Sequence, residues 1–316
     1  MKKRKYIIFF LIPFIIIWFV CVSQDNKIIF SNANPEKGFN YGYYYYIPKN
    51  IKKTSKIYIL VEPNNTGFTS DDNEVHKQSA KEMIIRSTKG LADELGCVLL
   101  VPVFDRPKSN DLMYTHALDR DTILNDAGMS ARIDLQLIRM VDDFKVLLKS
   151  KGLDVEQKIL IDGFSASGTF ANRFTALHPD MIRAVASGGI NSMPILPLKE
   201  REGTNLIYPI GLYDIEAITG EKFDFDTYAT IPQFIYMGSK DDNDTLTFDD
   251  AFGTNERDII INVLGLEMQK RWDKSKKIYT ELGYFAEFTL YNDVGHEITN
   301  DIMDDIVEFF LINMKE

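Results

Sequence analysis

The stretch Ile159-Leu160-Ile161-Asp162-Gly163-Phe164-Ser165-Ala166-Ser167-Gly168 constrains the fold more than any other in the chain. An apolar run ends in Gly-x-Ser-x-Ser-Gly. The helix-compatible segment Thr169-Phe170-Ala171-Asn172-Arg173-Phe174 follows at once. A strand, a tight turn and a helix read this way when the turn carries a serine at its apex. Such a turn brings strand end and helix start so close that only small residues fit on either side of the serine. Gly163 lies two before Ser165, and Ser167 and Gly168 lie two and three after it. Ser167 stands where a glycine is usual, but the small-x-Ser-x-small-small pattern is intact. Ser165 is the candidate nucleophile. With Ser167 at the apex, Phe170 would have to fit inside the turn.

Apolar runs of strand length recur along the chain at 41–48, 56–61, 97–103, 158–161, 182–187, 231–237 and 285–291. Most lack polar alternation, as strands buried on both faces do. The first is the tyrosine-rich Tyr41-Gly42-Tyr43-Tyr44-Tyr45-Tyr46-Ile47-Pro48, an early antiparallel strand stopped by proline and packed on the sheet. Helical periodicity fills 74–95, 130–152, 169–177, 256–276 and 300–314. Strands alternating with helices predict one α/β domain, with a mostly parallel central sheet and helices on both faces. Residues 24–40 read as extended or loose. Residues 190–230, with Pro194, Pro197 and Pro209, read as a cap or lid inserted over the sheet top.

Two further segments carry chemistry. The run at 231–237 ends in Gly238-Ser239-Lys240-Asp241-Asp242-Asn243-Asp244, and the last strand ends in Asn292-Asp293-Val294-Gly295-His296. As a calcium loop the acidic run fails, because Leu246 replaces the sixth-position glycine and Phe252 the twelfth-position acid. No Cys/His cluster has zinc spacing, so no metal is expected. Ser165, Asp241 and His296 each follow an apolar strand. All three are therefore expected at the C-terminal edge of the sheet, where open α/β folds place their sites. Counting cannot decide between Asp241 and Asp244 as the acid. His116 sits in the long connection 104–124 as a candidate substrate contact, and His178 reads as a helix-end residue.

From about Tyr43 to the C-terminus the chain resembles the α/β-hydrolase superfamily, in which nucleophile, acid and base come in this order. Ile47-Pro48, Gly238-x-x-Asp241 and Gly295-His296 look most like its extracytoplasmic esterase and polyhydroxyalkanoate-depolymerase-like branch. The resemblance implies an α/β-hydrolase fold and a Ser165-Asp241-His296 triad acting on an acyl ester without a cofactor. It implies an oxyanion hole from the backbone N–H of Ala166 and one from Asn64 or Asn65. Glu62-Pro63-Asn64-Asn65 stands where His-Gly is usual. A peptidase on the same fold would use the same residues, and a non-catalytic binding member is a further reading.

The N-terminus reads as a targeting segment. Lys2-Lys3-Arg4-Lys5 precedes an uncharged, almost wholly apolar run from Tyr6 to Val22. Residues 1–23 therefore read as a cleaved signal peptide or an uncleaved signal-anchor, with the bulk of the chain outside the cytoplasm. Membrane association is expected only through this segment. The formal charge of −10 argues against a nucleic-acid partner, which needs a basic surface. Cys21 lies in the targeting segment and Cys97 in an apolar strand, so no internal disulfide is expected.

Overall fold

The computed structural model describes residues 27–51 and 56–315. Residues 1–23, read above as a targeting segment, and Cys21 with them lie outside the described residues. Among the described residues no helix is long and apolar enough to cross a membrane.

The strands are β1 (Ile29–Ser31), β2 (Tyr43–Tyr46), β3 (Ile59–Val61), β4 (Val98–Pro102), β5 (Ile159–Phe164), β6 (Ile182–Gly188), the short hairpin β7 (Glu200–Arg201) and β8 (Thr204–Asn205), β9 (Gln233–Gly238) and β10 (Ala286–Tyr291). Eight of them form one sheet in the order β1-β2-β4-β3-β5-β6-β9-β10. Within this sheet the pairs β1/β2 and β2/β4 are antiparallel, and the remaining pairs are parallel. Of the stretch 24–40, expected to be extended or loose, residues Ile29–Ser31 form β1. Its Ile29 pairs with Tyr45 and covers the edge of β2.

The helices are α1 (Asn73–Met83), α2 (Lys89–Leu95), α3 (Arg120–Leu124), α4 (Ile133–Ser150), α5 (Ala166–Leu177), α6 (Ile215–Thr219), α7 (Phe225–Ala229), α8 (Thr254–Val263), α9 (Met268–Leu282) and α10 (Asn300–Asn313). A wide π turn at Ile84–Thr88 joins α1 to α2, so the periodic stretch 74–95 is helical throughout but not uniform. The single helix expected over 256–276 is two. Gly265, at φ 105°, breaks it between α8 and α9, a backbone angle that favours glycine.

Side-chain alternation sorts the strands onto two cores. Ile59, Val61, Val98, Leu100, Ile159 and Ile161 face α4 and α5. Leu60, Leu99, Val101 and Leu160 face α1, α2 and α10. Both faces are covered, which is why these strands are apolar without interruption. A third cluster packs α8 and α9 on β9 and β10 around Trp272, Tyr279 and Phe288. The tyrosines of β2 are structural: Tyr43 donates to Asp143 at 2.7 Å, Tyr46 to Asp93 at 2.6 Å, and Tyr45 packs on Phe144. Within 190–230, Ile195, Tyr208, Leu212 and Ile215 join the core beside α4 and α5.

Candidate active site

Ser165 lies between β5 and α5 with φ 62° and ψ −124°, a conformation that residues with a Cβ rarely adopt. Its neighbours hold it there. Ser165 N–H donates to Gly188 O at 2.8 Å, and Ser165 O accepts from Thr169 N–H at 2.9 Å. The turn is as tight as its sequence implies. A Cβ on Gly163 would lie 2.4 Å from the carbonyl carbon and oxygen of Ser167, and one on Gly168 would lie 2.6 Å from Gly188 O. The serine at the usual glycine position ties the turn to itself, since Ser167 Oγ accepts from Phe164 N–H at 3.0 Å and donates to Phe164 O at 2.9 Å.

His296 follows β10 and reaches back across the end of β9. Its Nδ1 is 2.9 Å from Asp241 Oδ2, and the Asp241 side chain is 1% exposed. Gly238 permits this approach, because a Cβ there would meet Val294 O at 2.1 Å. Asp241 Oδ1 accepts the N–H of Asn243 at 3.0 Å. A carboxylate facing Nδ1 keeps the imidazole proton there and leaves Nε2 as an acceptor. Asn243 Nδ2 stands 3.2 Å from Nε2, a contact with no signature in the sequence. Ser165 and His296 line one cleft of about 350 Å³. No hydrogen bond joins them directly among the described residues, and such contacts often tighten only when substrate binds. Asp244 instead lies 2.7 Å from Arg271 Nη2, an ion pair without the alignment of a hydrogen bond. Of the two candidate acids, Asp241 is the one that meets the histidine.

The loop after β3 also separates its two candidates. Asn65 lines the cleft beside Ser165 and Ala166. Asn64 is turned inward and fully buried. Its carboxamide donates to Phe104 O and accepts from Phe104 N–H, both at 2.9 Å. Ala166 opens α5, so its N–H has no acceptor within the helix. Two buried histidines anchor this loop. His116 Nε2 donates to Phe104 O at 2.8 Å, while its Nδ1 accepts the N–H of Thr66 at 3.2 Å. His76 Nδ1 is hydrogen-bonded to Thr66 Oγ1 at 3.0 Å. Burial pushes the pKa of His116 down to about 3, so it holds the loop as a neutral ring. His178 pairs with Asp134 at 2.9 Å, at the end of α5 remote from Ser165.

Beneath the turn, Glu62 and Asp162 are both buried. Burial raises the pKa of each above the carboxylate range, and the charge of Asp162 raises Glu62 further. The cleft walls come from three loops. The connection 104–124 supplies Arg106 and Tyr114, the segment after β6 supplies Ile190 and Met193, and the loop after β9 supplies Phe248 and Phe252. A larger groove, of about 540 Å³, lies at the opposite ends of β9 and β10 around Phe285 and Ile312. None of the residues that line it is a serine, cysteine or histidine.

No protein-family model matches this chain, and no curated protein sequence does. Solved structures do. Poly(aspartic acid) hydrolase-1 from Sphingomonas sp. KT-1 superposes with a TM-score of 0.57 at 18% identity, covering 91% of this chain and 99% of that one. LpqC, a poly(3-hydroxybutyrate) depolymerase from Bordetella parapertussis, gives 0.53 at 14%, covering 85% and 83%. The chain has the α/β-hydrolase fold. FphF, a fluorophosphonate-binding serine hydrolase from Staphylococcus aureus, gives 0.50 at 13%, covering 92% and 100%. At these identities the likeness is one of fold. In the α/β-hydrolase fold the C-terminal ends of the parallel strands form the site, and Ser165, Asp241 and His296 follow the C-terminal ends of β5, β9 and β10.

Proposed function

We propose that the chain is a serine hydrolase that cleaves carboxylic esters through an acyl-enzyme intermediate. One observation carries this reading: the 2.9 Å contact between His296 Nδ1 and Asp241 Oδ2 lies at the cleft that Ser165 enters from a strained turn. In the reaction Ser165 Oγ attacks the acyl carbonyl while His296 Nε2 takes its proton. The same proton passes to the departing alcohol. Asp241 holds the imidazole in its working tautomer and stabilises the imidazolium. The N–H groups of Ala166 and Asn65 receive the oxyanion, each worth on the order of 10²–10³ in rate. Water then attacks the acyl-enzyme by the reverse proton path. No metal or cofactor enters any step. A cleft of about 350 Å³ sits at the small end of ligand sites, which favours short acyl chains.

The contact of Asn243 with His296 Nε2 favours a second reading, a binding protein that keeps the fold without turnover. A fluorophosphonate probe separates the two. Labelling that disappears in Ser165→Ala supports the hydrolase, and a folded wild type that takes no label overturns it. Parallel ester and anilide substrates then distinguish an esterase from a peptidase. The segment 1–23 is read as exporting the domain or tethering it outside the cytoplasm, which fractionation of the full-length chain tests.

A further inference from the structure

The floor of the cleft holds a positive charge that the proposed mechanism does not use. Arg173 lies on α5, eight residues beyond Ser165, and with Thr169 it lines the same cleft. Eight residues of helix span about 12 Å, and side chains on a helix tilt toward its N-terminus, here toward Ser165. Arg173 is only 3% exposed. Among the described residues its guanidinium makes one hydrogen bond, from Nη1 to Ala117 O at 2.9 Å, and lies 5.6 Å from the Phe252 ring. Among the described residues no carboxylate forms an ion pair with it. Asp119 and Glu256 act on it only through space. Burial pushes both of those carboxyls toward their neutral forms, Asp119 to about 7, which weakens what compensation they offer.

A second guanidinium flanks it. Arg106 also lines the cleft, with its Cζ 3.8 Å over the Tyr114 ring. Its Nη2 is ion-paired with Asp250, while its buried Nε has no partner. A buried cation without a bonded anion is unfavourable, and folded proteins rarely retain one without a use. Asparagines and threonines line other parts of the cleft, but Ile190, Met193 and Phe252 give it an apolar stretch of wall. A short hydrocarbon chain fits such a wall, and a planar carboxylate fits an arginine fork.

We propose that Arg173, flanked by Arg106, forms a carboxylate-binding subsite, so that the preferred substrates are esters whose acyl chain ends in a free carboxylate. This deepens the hydrolase reading above and rests on it for the position of the reacting carbonyl.

The test uses 4-nitrophenyl monoesters of adipic, pimelic and suberic acids, each beside the counterpart whose far carboxyl is methylated. The expected result is a kcat/KM higher for the free acid than for its methylated twin by about 10–100-fold, the worth of one charge-assisted hydrogen-bonded contact. Arg173→Met is expected to bring that ratio near unity, and Arg173→Lys to restore part of it. A purely structural role for Arg173 would lower both rates together and leave the ratio unchanged. A second arm does not depend on turnover or on an arginine variant: calorimetric titration of Ser165→Ala with adipate and with dimethyl adipate. Binding of adipate alone supports the subsite. Equal binding of the two, or binding of neither, overturns it, as does wild type that hydrolyses the methylated esters as well as the free acids. Failure of the hydrolase reading is seen separately, as absence of fluorophosphonate labelling.

Discussion

Replacing Asp241 with asparagine tests the site at its most informative point. The carboxylate accepts two bonds: Asn243 N–H at Oδ1, 3.0 Å away, and His296 Nδ1 at Oδ2, 2.9 Å away. An asparagine there still needs its oxygen for Asn243 N–H, and this turns its NH₂ toward His296. Nδ1 must then accept, the ring proton moves to Nε2, and Nε2 can no longer take a proton from Ser165. Loss of the charge-assisted bond alone would cost about 1.5–3 kcal/mol, roughly 10–150-fold in rate. The inverted tautomer carries the total to about 10⁴ in kcat, the loss known for this change in a Ser-His-Asp triad. Asp244→Asn is the control. It deprives the fully buried Arg271 of its ion pair, so it should lower stability. Asp244 is about a third exposed, so the loss should be near or below the roughly 3 kcal/mol of a fully buried pair. Catalysis should remain in the folded fraction. Hydrolysis of 4-nitrophenyl butyrate, the rate of fluorophosphonate labelling and urea unfolding together read both effects. An Asp241→Asn enzyme within tenfold of wild type would refute the reasoning. So would a folded Asp244→Asn enzyme with a loss comparable to that predicted for Asp241→Asn.

Two other outcomes follow from the same geometry. Gly163→Ala places a methyl group 2.4 Å from the Ser167 backbone. It should destabilise by about 3 kcal/mol or more in urea unfolding, and a loss under about 1 kcal/mol would mean that the turn can open. Glu62 and Asp162 have pKa values raised on folding, so the native state holds protons that the unfolded chain has released. Their stabilising contribution is complete below the unfolded value of 4.5 for Glu62 and is lost as pH rises toward about 8. Glu62→Gln should therefore flatten the decline in Tm between these limits and be more stable than wild type at the alkaline end. An unchanged Tm–pH slope would rule out Glu62 as its source.

What the sequence determined follows from short-range physics. A turn that tolerates only small residues marks itself locally, so Gly163, Ser165 and Gly168 were legible. Uninterrupted apolar runs announce strands covered on both faces, and that was enough for the parallel sheet and for the C-terminal edge that gathers Ser165, Asp241 and His296. The break at Gly265 was harder to read, because periodicity continues across it and one glycine inside a helical pattern has several meanings. Tertiary structure alone decided between residues of the same type lying close together in sequence. Asp241 and Asp244 are three apart and chemically identical. Only the approach of the β10 loop over Gly238 gives one to His296 and the packing of α9 gives the other to Arg271. Asn64 and Asn65 are adjacent, and the backbone turns one into the core against Phe104 and the other toward the cleft. Asn243 and Arg173 gave no local signal. Their significance lies in distances to residues far away in the chain, or in the absence of a bonded carboxylate among the described residues, and a linear sequence records neither.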